Sequence, residues 1–181
     1  MSRWTLAHTP PGSETLYMRI LVAYASRHGA TRGVAERIAR KLEEGGSRVT
    51  VQQVDAVDDV ATFDAAVIGS SVYFGAWSKN AAEFVHRNQY ALSRMPVWLF
   101  SSGPLDAMQL PPPKEMAEFN ASIKPRAHGV FAGSLDSSKL GVGEKLMTKA
   151  LRAPEGDYRD WNAIDAWADD IAAEIRAGAV A

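Results

Sequence analysis

Between Ile20 and Leu42 a short apolar run, Ile20-Leu21-Val22-Ala23-Tyr24, gives way to Ser26-Arg27-His28-Gly29-Ala30-Thr31 and then to a segment of helical periodicity. The residue types in that junction suit an oxyanion. Gly29 can take a backbone conformation closed to side chains, Ser26 and Thr31 carry hydroxyls, and no Asp or Glu is present to repel negative charge. The first N–H groups of a helix have no partner inside it, and the helix dipole is positive at that end. A phosphate is therefore the ligand this junction favours. The competing reading is an ordinary strand-to-helix turn in which Ser26 or Thr31 merely caps.

What is missing narrows the ligand. The chain has no Gly-x-x-x-x-Gly-Lys-Ser/Thr run, so a nucleoside triphosphate loop is not expected. It has no Gly-x-Gly-x-x-Gly turn of the kind that lets a backbone approach a pyrophosphate. A single phosphate monoester fits better. The clustered acids that a phosphoacceptor domain carries at the end of its first strand are replaced here by Tyr24, Ala25 and Ser26.

The elements that must position such a site are legible in the same pattern. Val34, Ala35, Ile38, Ala39 and Leu42 recur at helical spacing and Gly45-Gly46 ends the helix. Two more continuous apolar runs, Ala65 to Gly69 and Val97 to Phe100, read as parallel strands covered on both faces. Each runs into a Ser- and Gly-rich segment: Ser70-Ser71-Val72-Tyr73-Phe74-Gly75 and Ser101-Ser102-Gly103-Pro104-Leu105. In open parallel sheets ligands sit beyond the carboxyl ends of the strands, so three loops converge on one place. Arg48 to Val54 reads as an edge strand and His128 to Gly133 as the last strand. A helix capped by Ser78 would face Ala82, Phe84, Val85 and Leu92 inward. A weaker helix spans Lys114 to Ile123, and a final one turns Trp161, Ile164, Ala168, Ile171 and Ile175 to the core. Strand and helix alternate throughout, which predicts a three-layer α/β domain with right-handed crossovers.

With the Ser26 to Thr31 loop, the Ile68 to Trp77 segment and the late Asp160-Trp161 pair in view, the chain resembles flavodoxin-type FMN domains. Within that group it is most similar to the menaquinone-linked protoporphyrinogen IX dehydrogenase family. The resemblance runs from Met18 to about Gly178 and implies a five-stranded parallel sheet of order 2-1-3-4-5 with helices on both faces. It implies FMN as cofactor: Ser26, Arg27, His28, Gly29, Ala30 and Thr31 on the phosphate; Ser71, Val72, Tyr73, Phe74 and Gly75 beside the isoalloxazine ring; Ser101, Ser102, Gly103, Pro104 and Leu105 over its other side. Phe74 stands where the family tends to place a ring-stacking aromatic, with Tyr73 and Trp77 near enough to substitute. It also implies a quinone or redox partner as electron acceptor and a protoporphyrinogen-like substrate.

Composition frames these expectations. The 181 residues suit one domain, residues 18–178, preceded by a flexible extension at 1–17 that has no apolar core of a signal peptide. No apolar run approaches the length of a membrane span, so a cytoplasmic protein is expected, either free or held at the inner membrane face. There is no Cys, which excludes disulfides, thiol redox chemistry and thiolate metal sites. His8, His28, His86 and His128 lack ligand spacing, so neither a metal nor a side-chain catalyst is expected and redox work falls to a cofactor. Nucleic acid is not an expected partner, because the net charge is −1.

Residues 135–158 interrupt the pattern before the last helix. Leu140, Leu146, Met147, Ala150 and Leu151 are spaced for an amphipathic helix, and from Lys124 to Arg152 six basic residues, Lys124, Arg126, Lys139, Lys145, Lys149 and Arg152, stand against only Asp136 and Glu144. Residues 139–152 could rest on an anionic membrane, or the helix could pack over its own sheet with a solvated basic face. Charge also separates an enzyme from a diffusing carrier. Shuttle flavodoxins are strongly acidic, whereas Asp106 is the only acid in the segments expected to flank the ring, Ser70 to Trp77 and Ser101 to Met108. An oxidoreductase is favoured, with an electron-transfer protein lacking its own substrate site as the alternative.

Overall fold

A computed structural model of the chain describes residues 17–103, 111–135 and 156–178. Five parallel strands form the sheet: β1 (Arg19–Ala25), β2 (Arg48–Gln53), β3 (Ala65–Tyr73), β5 (Val97–Gly103) and β6 (Ala127–Ala132). Their spatial order is β2-β1-β3-β5-β6, which is the expected 2-1-3-4-5 once the two-residue antiparallel strand β4 (Ala76–Trp77) is set aside. A second small hairpin joins β7 (Ser134–Leu135) to β8 (Gly156–Asp157).

Alternation along the strands sorts the core into two clusters. Ile20, Val22, Tyr24, Val67, Trp98 and Phe100 point to one face, which is covered by α1 (Ala30–Glu44) and α5 (Trp161–Gly178). Leu21, Ala23, Ala25, Ala66, Ile68 and Leu99 point to the other, covered by α2 (Lys79–Arg87), α3 (Gln89–Leu92) and α4 (Met116–Ser122). Strands buried on both faces need apolar residues at every position, which is why β1, β3 and β5 read as continuous runs and the edge strand β2 does not. Across the first face Arg37 forks onto Asp165, and Lys41 bridges Glu44 and Asp169, so α1 and α5 are fastened as well as packed.

Gly69 in β3 is a packing requirement. A Cβ there would lie 2.0 Å from Cζ of Phe100, the residue paired with it in the ladder. Phe100 is fully buried, and its ring meets Phe131 and Trp167, each with centroids 6.4 Å away.

Several local expectations are corrected. Trp161 does not face the core; it is 36% exposed, and Trp167, a third of the way along the helix, is the aromatic that packs on Phe100 and Phe131. Ser78 occupies the N-cap of α2, but its hydroxyl makes no capping bond. The helix expected from Ser78 to Leu92 is broken at Asn88, whose backbone leaves helical geometry at φ −102° and ψ 10° and whose side-chain amide donates to the Phe84 carbonyl, into α2 and α3. Residues 1–16 and most of the 135–158 segment, including the helix expected at 139–152, lie outside the described residues.

Candidate functional site

The carboxyl ends of β1, β3 and β5 are neighbours. Ala25 pairs with Ser70, Ser70 with Ser101, and Ser71 with Ser102. This places the Ser26 to Thr31 junction, the Ser71 to Gly75 segment and Ser101 to Gly103 along one edge of the sheet. Pro104 and Leu105 lie outside the described residues. The second and third segments are less loop-like than expected. β3 runs on to Tyr73 and β5 to Gly103, so only Phe74 and Gly75 form a turn, and Ser71, Val72, Tyr73, Ser101, Ser102 and Gly103 are held in strand geometry. The ladder explains this: each serine still has a register partner, and backbone pairing is indifferent to side-chain polarity.

The first junction is a cradle. Gly29 caps α1 at φ +90°, a left-handed conformation that favours glycine, and a Cβ there would meet nothing within 4 Å. Its N–H donates to Ser26 Oγ at 3.0 Å. Ser26 therefore shapes the loop and caps no further into the helix. The first turn of α1 contains no acid and no side chain among the described residues caps it, so the amides of Ala30, Thr31 and Arg32 point past the helix end. Thr31 is buried, His28 is half-buried, and Arg27 lies over the Tyr73 ring at 5.5 Å from its centroid, joining the cradle to the next strand end.

The turn between β3 and β4 is braced from below. Ser70 Oγ donates to the Ser71 carbonyl at 2.9 Å and accepts the Ser78 N–H at 3.0 Å. The Trp77 N–H donates to Glu115 Oε2 at 3.1 Å, and the Lys114 N–H donates to the Gly75 carbonyl at 3.0 Å. Trp77, one of three candidate stacking aromatics, is only 4% exposed and edge-on to Phe119, so it belongs to the core. Phe74 is 84% exposed at φ +52°, a left-handed backbone that a bulky residue adopts only when its surroundings impose it. Tyr73 is 38% exposed. The turn thus presents Phe74 and Tyr73 outward.

Trp77 also ties the two ring-side strand ends together. Its indole Nε1 donates to Ser101 Oγ at 2.8 Å, and Ser101 Oγ lies 2.8 Å from His128 Nε2. An indole can only donate, so Ser101 accepts from it, and the hydroxyl keeps both a proton and a second lone pair with which it meets His128 Nε2 in either neutral tautomer. Burial pushes the His128 pKa below its ordinary value and so favours the neutral imidazole. Spacing gave His128 no place in the site, because its partner Ser101 is distant in the chain. Glu115 and Arg159 also escaped notice. Arg159 forks onto Asp157, and its hydrogen bonds hold that carboxyl below the usual range.

The profile of the flavodoxin domain matches residues 21–162. The chain belongs to the flavodoxin domain family. Among relatives of this family member, protoporphyrinogen IX dehydrogenase [quinone] from Escherichia coli K12 is 25% identical over 175 residues, covering 86% of this chain and 95% of its own. A protein of the same name from Leishmania major is 27% identical over 177 residues, covering 86% of this chain and 75% of its own. A solved flavodoxin from the domain Archaea superposes with a TM-score of 0.58 over 88% of this chain and 99% of its own, at 17% identity, which fixes the shared fold.

FMN is the cofactor that goes with this family, and the residues present fit it. The cradle offers uncapped amides without a carboxylate. Ser71 Oγ is buried with no hydrogen-bond partner among the described residues, as a group reserved for a ligand would be. No helix among the described residues is long and apolar enough to cross a membrane, and no group of metal-ligating side chains occurs among them.

Proposed function

We propose that this flavodoxin-domain protein is an FMN-dependent oxidoreductase that oxidises a protoporphyrinogen-like substrate and passes the electrons to a quinone. The observation that carries the reading is the match, over 86% of the chain, to enzymes of that one name from a bacterium and a protozoan. Electrostatics supports it. The described ring-side residues, Ser71 to Gly75 and Ser101 to Gly103, contain no carboxylate, and Glu115 beside them is engaged by the Trp77 N–H. A shuttle steered to basic partners would carry a strongly acidic face, and this chain has a net charge of −1.

In this reading the α1 amides of Ala30, Thr31 and Arg32 bind the phosphate, and Ser26 fixes the loop through Gly29. Ser71, Tyr73 and Phe74 orient the ring, while the Trp77–Ser101–His128 chain links β4, β5 and β6. When bound, FMN would take electrons from the substrate two at a time and hand them to the quinone, so that full conversion of a porphyrinogen to a porphyrin would take three such turns and three quinones. No side-chain acid or base is assigned a proton transfer.

The test is anaerobic incubation of the FMN-loaded protein with protoporphyrinogen IX and menaquinone, read by porphyrin fluorescence. Quinone-dependent porphyrin formation is expected. Flavin that cycles with protein redox partners while no porphyrin forms would contradict the enzyme reading and leave an electron carrier.

A further inference from the structure

The junction between β8 and α5 lies against the first turn of the neighbouring helix α1, and Arg159 makes the contact. Its side chain is 17% exposed. Nε donates to Asp157 Oδ1 at 2.7 Å, Nη2 donates to the other carboxylate oxygen, and Nη1 comes within 3.4 Å of the Ala30 carbonyl. The guanidinium lies over the Trp161 ring, 4.5 Å from its centroid. Gly33 provides the room, since a Cβ there would sit 2.3 Å from Nη1. Alanine is the better helix former at such a position, so α1 gives up helix propensity where this side chain enters.

A cation beside the N-terminal turn opposes the helix dipole. Asp157 and Trp161 hold it there nonetheless, and Asp157 leaves further N–H donors on Nη1 and Nη2 uncommitted. The arrangement becomes favourable once an anion rests on the α1 amides. Arg27 and Arg32, the cations of the junction itself, are turned to Tyr73 and Glu36.

We propose that Arg159 is a positioning residue for the phosphate of the flavin: docked over Gly33, it steadies the first turn of α1 and makes the site select a phosphorylated flavin over riboflavin. The proposal rests on the FMN reading above. It also makes the β7–β8 hairpin, which delivers Asp157, part of the phosphate end of the site.

The test compares dissociation constants for FMN and riboflavin by calorimetry on the full chain. Arg159→Gln weakens FMN about tenfold, the scale of one charge-assisted interaction, and leaves riboflavin within about twofold. Arg159→Lys restores part of the loss. Gly33→Ala displaces the guanidinium while favouring the helix, so it lowers the FMN preference and leaves a folded protein. If Arg159→Gln does not fold, Gly33→Ala decides. An unchanged FMN-to-riboflavin ratio in both variants, or equal weakening of both ligands, overturns the role of Arg159 alone. A wild-type chain that binds neither flavin overturns the FMN reading and this one with it.

Discussion

Replacing Ser71 by Ala should move stability and ligand affinity in opposite directions. Ser71 is 8% exposed on β3, and its Oγ has no hydrogen-bond partner among the described residues. A buried hydroxyl left unsatisfied costs about 1–3 kcal/mol, and alanine removes that cost without leaving a large void. Taking the low end, Ser71→Ala stabilises the FMN-free protein by about 1 kcal/mol, or roughly 2–4 °C in Tm for a domain of this size. If the hydroxyl is held for the flavin, the variant loses one net hydrogen bond of about 0.5–1.5 kcal/mol, which weakens FMN by roughly 2- to 12-fold. Differential scanning calorimetry with and without FMN, joined to a titration, reads both quantities. A variant less stable than the wild type without ligand would show that the hydroxyl already has a partner. Unchanged FMN affinity would remove Ser71 from the site.

Gly69→Ala should destabilise the fold by about 1–3 kcal/mol or more through the clash with the Phe100 ring, and adding Phe100→Leu should restore much of the loss in urea unfolding; a silent Gly69→Ala would refute the packing argument. Phe74→Asn should leave the FMN-free protein as stable or up to about 1 kcal/mol more so, because Asn tolerates a left-handed backbone and Phe74 buries little, while FMN binds more weakly. A variant that binds FMN as well as the wild type would return the stacking role to Tyr73. Burial depresses the His128 pKa, so its contribution to stability is fully present above the ordinary histidine value of 6.5 and is lost as pH falls from there through its lower folded value. Stability measured down that range should drop more steeply in the wild type than in His128→Gln, and identical profiles would contradict the buried neutral form.

Much of the architecture is readable from local pattern because its causes are local. Ile20 to Tyr24, Ala65 to Gly69 and Val97 to Phe100 must be apolar on both faces, so they announce parallel strands, and Gly45-Gly46 announces the end of α1. The cradle is legible for the same reason: Gly29 and the absence of acids are decided within a few residues. What escaped detection depends on partners far along the chain. Ser71 to Tyr73 and Ser101 to Gly103 resemble loops in composition, yet pairings such as Ser71 with Ser102 and Gly103 with Ala132 extend both strands. Trp161 shares helical spacing with Ile164, but it sits at the first position of α5, beyond the edge of the sheet, and stacks with Arg159. Nothing near His128, Glu115 or Arg159 reveals that they meet Ser101, Trp77 and Ala30.

The central claim is that the open amides of the first turn of α1 grip the phosphate of FMN. Amide resonances of the labelled chain, followed during titration with FMN and separately with riboflavin, test it most directly. The Ala30, Thr31 and Arg32 signals should shift with FMN and stay in place with riboflavin, while residues near Phe74 respond to both. FMN that binds without moving those three amides, or that fails to bind at all, would contradict the account.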